Sequence, residues 1–280
     1  MADIDLKELP RKKAKTKQEA TLTANKTPVG LEKQLRKLLR FMVRETRKRF
    51  ENQVLKAMTK ETVGKFQDAQ RGNFGVIYNE LASKFEKSID KQFNNKRIDK
   101  FVKKLYKNTG KMNKKVFDQS VNNTLGIDLE NILKTDGLGE FTNASSLQTA
   151  SQLQNVRDDV VKTMKQNVFR MMNEGASLNE LFEQVKDITG KALKRGDLNA
   201  RNELKNFNSL LSRKRAESVG ITEGIWQTAK DERVRPSHMD RDGKKFELKK
   251  GLFSSVDGKT IQPGEEINCR CVFIPVVDLE

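Results

Sequence analysis

The chain has 280 residues and a formal net charge of +17, because 55 Lys and Arg residues outnumber 38 Asp and Glu residues. A hydrophobic fraction of 35% and a charged fraction of 33% argue against one round, uniformly packed enzyme domain and favour elongated helices with thin cores. The positive excess predicts attraction to a polyanion, which could be DNA, RNA or an anionic membrane face.

Two classes of protein are disfavoured by the distribution of apolar residues. No segment approaches the roughly 20 apolar residues of a membrane span, and residues 1–15 contain no apolar core of a signal peptide. We therefore expect a chain that is made in the cytosol and stays there at first. Two cysteines in that reducing compartment argue against a disulfide framework, and Cys269 and Cys271 are too close in sequence for an unstrained bond.

The N-terminal half divides into two predicted regions. Residues 1–28 are rich in lysine and poor in apolar side chains, which predicts a basic flexible arm. Residues 29–124 form a long-helix region, because apolar residues recur there at steps of three and four. The glycine-containing stretch 60–73 divides two such runs, so we expect two antiparallel helices joined near it.

One face of the first predicted helix is strongly basic. A face of this kind is most often solvated, but few acidic residues nearby can neutralise this one, so contact with nucleic acid or an acidic partner is an equal alternative. The residues predicted to make that contact are Arg36, Lys37, Arg40, Arg44, Arg47, Lys48 and Arg49.

The C-terminal half begins with a predicted loop or hinge at 125–146, where glycines interrupt the helical pattern. Residues 147–280 are expected to form one domain. Its helices are predicted over about 147–173, from Ser177 onward and over about 201–229, with a loose stretch at 186–200. The period changes at 230–276, where two Asp-Gly turns and a final apolar strand predict a small β-containing cap. The predicted fold class is mainly α, namely an elongated basic helical N-terminal region followed by a helical segment and a small α+β C-terminal cap.

The cap contains the only histidine and both cysteines of the chain. His238, Cys269 and Cys271 are three potential zinc ligands, to which Asp240 or Asp231 could add a fourth. Alternatively, both cysteines face the core from one strand and Arg270, between them, faces outward. Both interpretations remain open, and no cofactor other than this potential zinc ion is expected.

Catalysis is the less favoured interpretation of the cap. His238 and its acidic neighbours could supply a general base and metal ligands, and a Cys–His nucleophile pair is also conceivable. The sequence contains no phosphate loop, dinucleotide fingerprint or nucleophile elbow. The same residues can instead form ion pairs and turn hydrogen bonds that make a rigid cap. We therefore predict that the chain is not an enzyme, and keep a metal-dependent nuclease or hydrolase centred on His238 as the alternative.

An ordered set of short motifs resembles a known family. The pieces are Arg-Ala-Glu at 215–217, Thr-Glu at 222–223, WQTAKDERVRPSHMDRDG at 226–243 and PGEEINCRC at 263–271. Together they resemble the phage Mu F-like minor head protein family, over about 150–275 and most closely over 213–274. The chain departs from the family pattern at 219–221. The motif residues are Arg215, Glu217, Glu223, Trp226, Asp231, Arg233, Arg235, His238, Asp242, Gly243, Asn268, Cys269, Arg270 and Cys271.

The resemblance implies a minor capsid protein of a tailed bacteriophage or prophage. It implies a place inside the head after assembly in the host cytoplasm, with the portal protein as partner and scaffold and major capsid protein as further candidates. From charge alone we add non-specific contact with double-stranded DNA and expect no membrane partner. Some relatives carry toxin domains, but Glu280 follows Cys271 closely, so no appended effector is expected. The second alternative is a basic nucleic-acid-binding protein unrelated to phage.

Overall fold

The computed structural model describes residues 4–14, 17–58, 71–132 and 137–280. The elements of these ranges are β1 (Glu19–Thr21), α1 (Val29–Phe50), a π-helical turn (Glu51–Leu55), α2 (Arg71–Gln92), α3 (Asn95–Leu125), α4 (Leu129–Ile132), α5 (Gly139–Asn173), α6 (Leu178–Glu217), β2 (Glu223–Gln227), α7 (Pro236–Arg241), β3 (Lys245–Glu247), β4 (Leu252–Ser254), β5 (Lys259–Ile261) and β6 (Val272–Asp278). Long helices followed by short antiparallel strands confirm the predicted fold class, mainly α with a small β-containing cap.

Helix α6 is longer than the sequence indicated. It begins after Ser177, as predicted, with a capping box in which the Ser177 N–H donates to the Glu180 carboxylate at 2.6 Å and the Glu180 N–H donates to Ser177 Oγ at 3.4 Å. It then continues through 186–200, where the sequence predicts a loose stretch. Gly196 lies in this part of the helix and allows close packing, because a Cβ there would lie 2.6 Å from Leu39 Cδ2.

The N-terminal segment is docked against the sheet, so the expectation of a flexible arm is wrong for its described residues. Strand β1 pairs antiparallel with β6, placing Ala20 opposite Val277. Leu6 and Leu22 are 1% and 3% exposed. The segment is ordered because these few apolar side chains complete a core and its backbone completes a sheet edge. Two residues of the predicted arm's lysine-rich part, 15–16, lie outside the described ranges.

The C-terminal sheet includes residues that were predicted to be helical. Four strands pair antiparallel in the order β1-β6-β2-β3, and β4 and β5 form a separate hairpin. The helix predicted to reach residue 229 ends at Glu217, because Gly220 takes a left-handed conformation with a φ of 81°. Trp226 therefore lies on strand β2, opposite Phe273 of β6.

The chain folds as two compact units. The helical unit comprises Lys33–Val102 and Leu147–Ala200, and the sheet unit comprises Met1–Glu32, Lys103–Ser146 and Arg201–Glu280. The sequence boundaries at residues 28, 124 and 146 stay predictions. Within the predicted hinge at 125–146, α4 covers Leu129–Ile132 and α5 begins at Gly139. Residues 133–136 lie outside the described ranges.

Within the helical unit, α1 and α2 pack antiparallel, as predicted from their apolar stripes. The rings of Phe50 and Phe85 meet edge to face with centroids 5.1 Å apart, and those of Phe41 and Phe93 do so at 5.6 Å. Most of the predicted connection, residues 59–70, lies outside the described ranges. A search of the described residues finds no helix with the length and apolar character needed to cross a membrane.

Candidate functional site

The helix α7 and the loop before β6 bring the predicted metal-ligating residues together. Pro236 starts α7 from an extended Arg235, and His238 enters the core one turn later with 2% of its surface exposed. Asn268 adopts a left-handed φ of 60° and its N–H donates to Asn202 Oδ1 at 2.9 Å. The following residues alternate in direction, so that Cys269 and Cys271 are both buried in the core.

The three side chains form a compact group of potential ligands. His238 Nδ1 lies 3.5 Å from Cys269 Sγ and 3.4 Å from Cys271 Sγ. All three potential ligand atoms lie within 4.8 Å of one another. His238 Nε2 lies 2.8 Å from Glu266 Oε2. Because a carboxylate only accepts hydrogen bonds, Nε2 donates to Glu266, and Nδ1 is the ring nitrogen that faces the sulfur atoms.

The two thiols share their protons unequally. The hydrogen bond from Cys271 lowers the pKa of the Cys269 thiol to about 6, against the opposing effect of burial, and backbone N–H groups and His238 add to the shift. The same contact and burial raise the pKa of Cys271. The pair therefore loses its first proton more readily than an isolated thiol does and holds the second proton more firmly.

Trp226 forms one wall of this group. Its ring meets the His238 ring nearly edge to face, with centroids 5.8 Å apart. The indole Nε1 is buried and makes no hydrogen bond of normal geometry, although it is close enough to the Cys271 thiol to lower its pKa. A buried N–H without an acceptor is uncommon. A thiolate at Cys271 could accept a hydrogen bond from this N–H.

Arg241 is a residue of the site that sequence reasoning missed. Its guanidinium is fully buried, lies over the Trp226 ring, and donates to the carbonyls of Ser237, Leu252 and Lys259 at 2.9, 2.9 and 2.6 Å. It also pairs with Asp257, whose pKa it lowers to about 2. Its position three residues after His238, on the same helix face, was the available signal.

The predicted fourth metal ligands are not placed near the sulfur atoms. Asp231 pairs with Arg270, which lowers the pKa of Asp231. Asp240 pairs with Lys244 at 2.9 Å. Neither aspartate belongs to the compact group of ligand atoms among the described residues, because each carboxylate is held by a cation at the surface. That part of the prediction is wrong.

The remaining motif residues of the cap hold its loops. Arg235 donates to Glu266 Oε2 and to the Ile267 carbonyl, both at 2.7 Å. Asp242 Oδ1 accepts the Thr228 N–H at 2.7 Å. Gly243 has a φ of 76° and its N–H donates to the Trp226 carbonyl at 2.8 Å, closing the turn after α7. The exposed Arg233 side chain lies 3.9 Å from the Glu232 carboxylate, and its backbone N–H donates to Asp231 Oδ1 at 3.1 Å.

The motif residues before the cap connect α6 to its surroundings. Arg215 is buried and its guanidinium donates to Asn113 Oδ1, while Asn113 Nδ2 donates to Ser212 Oγ at 2.7 Å. The Glu217 carbonyl accepts the N–H of Gly220 at the helix end. Glu223 pairs with Lys245 at 2.7 Å.

The departure from the family pattern at 219–221 has a structural explanation. Val219 and Ile221 are 1% and 2% exposed, so apolar side chains fill the core on either side of Gly220. A Cβ on Gly220 would lie 2.7 Å from Asp5 Oδ1. This stretch therefore packs against the N-terminal segment, where a long charged side chain would lose its solvation.

The predicted basic face of α1 divides into two classes. Arg36 and Arg40 bind Asp197, and Arg47 and Arg49 pair with glutamates one turn away. Lys37, Arg44 and Lys48 are exposed and form no ion pair with any residue in the described ranges. These three residues lie within about 40° of one another around the helix, so they form a narrow cationic stripe.

Helix α3 carries a second basic face that sequence reasoning missed. Lys103, Lys107 and Lys111 recur every four residues, are exposed and have no anionic partner in the part of the chain that the structure describes. They line an open cavity of about 470 Å³ together with the first turn of α5. The four-residue spacing of these lysines is visible in the sequence. The apolar residues of α3 indicate only its buried face, and the basic face was therefore not predicted.

Comparisons with known proteins cover the cap and most of the chain. Residues 162–274 match the family model described as "Phage Mu protein F like protein", which confirms the resemblance drawn from the motifs. An "Uncharacterized protein" of Haemophilus influenzae is 27% identical over 252 residues, which is 90% of this chain and 55% of that protein. No solved structure matches significantly.

A second relative carries a more specific name. The "NAD(+)--arginine ADP-ribosyltransferase EFV" of Enterococcus faecalis is 25% identical over 174 residues, which is 58% of this chain and 35% of that protein. The chain thus spans about half of the Haemophilus relative and about a third of the Enterococcus one.

Proposed function

Because residues 162–274 form a phage Mu F-like segment, we propose that the chain is a minor capsid, or head morphogenesis, protein of a tailed bacteriophage or prophage. The family match supports the head assignment. The alignment with the Haemophilus protein supports a common origin for the basic N-terminal half as well, since it covers 90% of the chain. The transferase name belongs to the Enterococcus protein, of which the alignment covers about a third.

A structural role accounts for the cap better than catalysis does. The family matched over 162–274 is a structural one. Both ring nitrogens of His238 are engaged inside the core, so the ring has little freedom to act as a general base. The adjoining cavity of about 70 Å³ is far below the roughly 300 Å³ of a small-molecule site. A nuclease or hydrolase centred on His238 remains the alternative.

The proposal includes a place and partners. The chain joins the head in few copies and associates with the portal protein, and scaffold and major capsid protein are proposed as secondary partners. The host cytoplasm is the place of assembly and the interior of the virion head is the final location. These points rest on the resemblance, and copurification of the tagged chain with the portal protein from an assembling host tests them.

Contact with double-stranded DNA is the part of the proposal that the geometry supports. The observation that carries it is the row of Lys103, Lys107 and Lys111, three exposed lysines without a described anionic partner. Successive members are about 6 Å apart along the helix axis. Duplex DNA presents about one negative charge per 1.7 Å, so such a row can meet several phosphates without reading bases. Lys37, Arg44 and Lys48 of α1 are a second proposed contact of the same kind.

The test is the salt dependence of DNA binding by the full chain. The variant Lys103→Gln/Lys107→Gln/Lys111→Gln is compared with Lys84→Gln/Lys186→Gln/Lys191→Gln. The control carries the same change in net charge, but its lysines each have an acidic neighbour one turn away. Fluorescence anisotropy with a short duplex of arbitrary sequence gives the slope of log K against log salt concentration.

The two variants should behave differently. Each lost phosphate contact lowers the steepness of that slope by about 0.9, so the first variant should lose up to about 3 and the control should lose little. Equal slopes for both variants would contradict a contact through α3, and an unmodified chain that does not bind at low salt would contradict any direct contact.

A further inference from the structure

We propose that His238, Cys269 and Cys271 bind one Zn²⁺ ion, with Glu266 holding the histidine from behind and a solvent molecule in the fourth position. This inference does not depend on the proposed role in a phage head, because it rests only on the side chains of the cap. The site would connect α7 to the loop that precedes β6.

The distances between the donor atoms suit a tetrahedral zinc ion. With Zn–N of about 2.05 Å and Zn–S of about 2.3 Å, tetrahedral angles separate a nitrogen from a sulfur ligand by about 3.6 Å. His238 Nδ1 lies 3.5 Å from Cys269 Sγ and 3.4 Å from Cys271 Sγ. One metal ion can therefore reach the three atoms with only small side-chain adjustments.

The surroundings orient the histidine as a ligand. Glu266 Oε2 accepts from Nε2 at 2.8 Å, which leaves Nδ1 as the ring nitrogen that faces the sulfur atoms. Arg235 donates to the same carboxylate at 2.7 Å and so fixes its position. A carboxylate that binds the far nitrogen of a metal-ligating histidine is the usual second partner of zinc sites, since it fixes the tautomer and raises the basicity of the ring.

The donor types select the metal. Two thiolates and an imidazole favour Zn²⁺ over Mg²⁺, Ca²⁺ or Mn²⁺, which prefer oxygen ligands. Both cysteines would bind as thiolates, and the two thiolate charges would balance the charge of the ion inside the core. The buried indole Nε1 of Trp226, which has no hydrogen-bond acceptor of normal geometry, would then face a thiolate ligand.

The fourth coordination position of the ion would face a small cavity. The site adjoins a cavity of about 70 Å³ that Cys269, Cys271 and His238 line together with Asn268 and Arg270. A cavity needs about 10 to 15 Å³ of such space to hold a water molecule, so this one has room for a solvent ligand. Asp231 and Asp240 are held in ion pairs elsewhere, which leaves water as the fourth ligand.

The test uses the full chain, reduced and freed of metal by a chelator. Zn²⁺ and Co²⁺ are each titrated into it as the only added metal. We expect one ion per chain, and with Co²⁺ we expect thiolate-to-cobalt charge-transfer absorption together with the intense visible bands of a tetrahedral site. A weak octahedral spectrum, or no binding, would overturn the proposal.

Three variants assign the site. Cys269→Ser/Cys271→Ser should abolish the charge-transfer absorption. Glu266→Gln can still accept from the histidine and should fold, but it should weaken metal affinity about 10- to 100-fold. Glu265→Gln, its exposed neighbour, is the matched control and should leave the affinity unchanged. Equal affinity of the two glutamate variants would contradict the role of Glu266, and charge-transfer absorption that survives in the double serine variant would overturn the whole assignment.

Discussion

At the scale of single residues, the cap is organised by polar groups that the core encloses. Arg241 is fully buried and satisfies its guanidinium with three carbonyls and Asp257. A buried cation of this kind does not follow from hydrophobic patterning, because arginine is ordinarily exposed. Its contacts join α7 to the hairpin of β4 and β5, so they position the helix that carries His238.

The pair between Asp257 and Arg241 predicts a pH dependence of stability. The guanidinium lowers the pKa of Asp257 to about 2, from an ordinary value of 3.8. The folded state binds this proton less readily than the unfolded state does. The ion pair therefore adds to the free energy of unfolding above about pH 4, and this contribution is lost as the pH falls toward 2. Asp257→Asn should therefore be less stable than the unmodified chain at pH 6. Urea unfolding at pH 6, 4 and 2 should show the difference shrinking, and a constant difference would contradict the pair.

At the scale of elements, α6 contains glycines with different roles. Gly190 and Gly196 both lie inside this helix. A Cβ on Gly196 would lie 2.6 Å from the Leu39 side chain, whereas a Cβ on Gly190 would meet nothing within 4 Å. Gly196 therefore allows α1 and α6 to approach closely, and Gly190 has no such role.

Alanine substitution at these two positions should change stability in opposite directions. Gly190→Ala should stabilise the chain by about 0.5 to 1 kcal/mol, because alanine is the better helix former. Gly196→Ala should destabilise it by about 1 to 3 kcal/mol through overpacking against Leu39. Thermal and urea unfolding measure both effects. Two stabilised variants would contradict the close approach of α1 and α6.

The sequence also shows which elements are predictable. Apolar steps of three and four were sufficient for α1, α2 and α5, because each of these helices presents one long buried stripe. The same rule could not find β1, whose three residues gain stability only from pairing with β6. It also extended a helix through Trp226, since the left-handed turn at Gly220 gave a weak signal in a helical context.

At the scale of the whole molecule, identity and chemistry were predictable to different degrees. The motif spacing was sufficient to indicate the family and to bring His238, Cys269 and Cys271 together as candidates. It could not exclude Asp231 and Asp240 as ligands, because their ion pairs with Arg270 and Lys244 depend on tertiary folding. The charge of +17 predicted a polyanion partner, but which cations stay unpaired is a property of the folded chain.

The central claim is that the chain is a component of a phage head, and the most direct measurement is the composition of purified heads. Quantitative mass spectrometry of DNA-filled heads, separated from free protein by density centrifugation, should find the chain in few copies per portal ring. Free host proteins in the same gradient give the background. A chain that stays at background in the heads, while portal and major capsid protein are abundant there, would contradict the account.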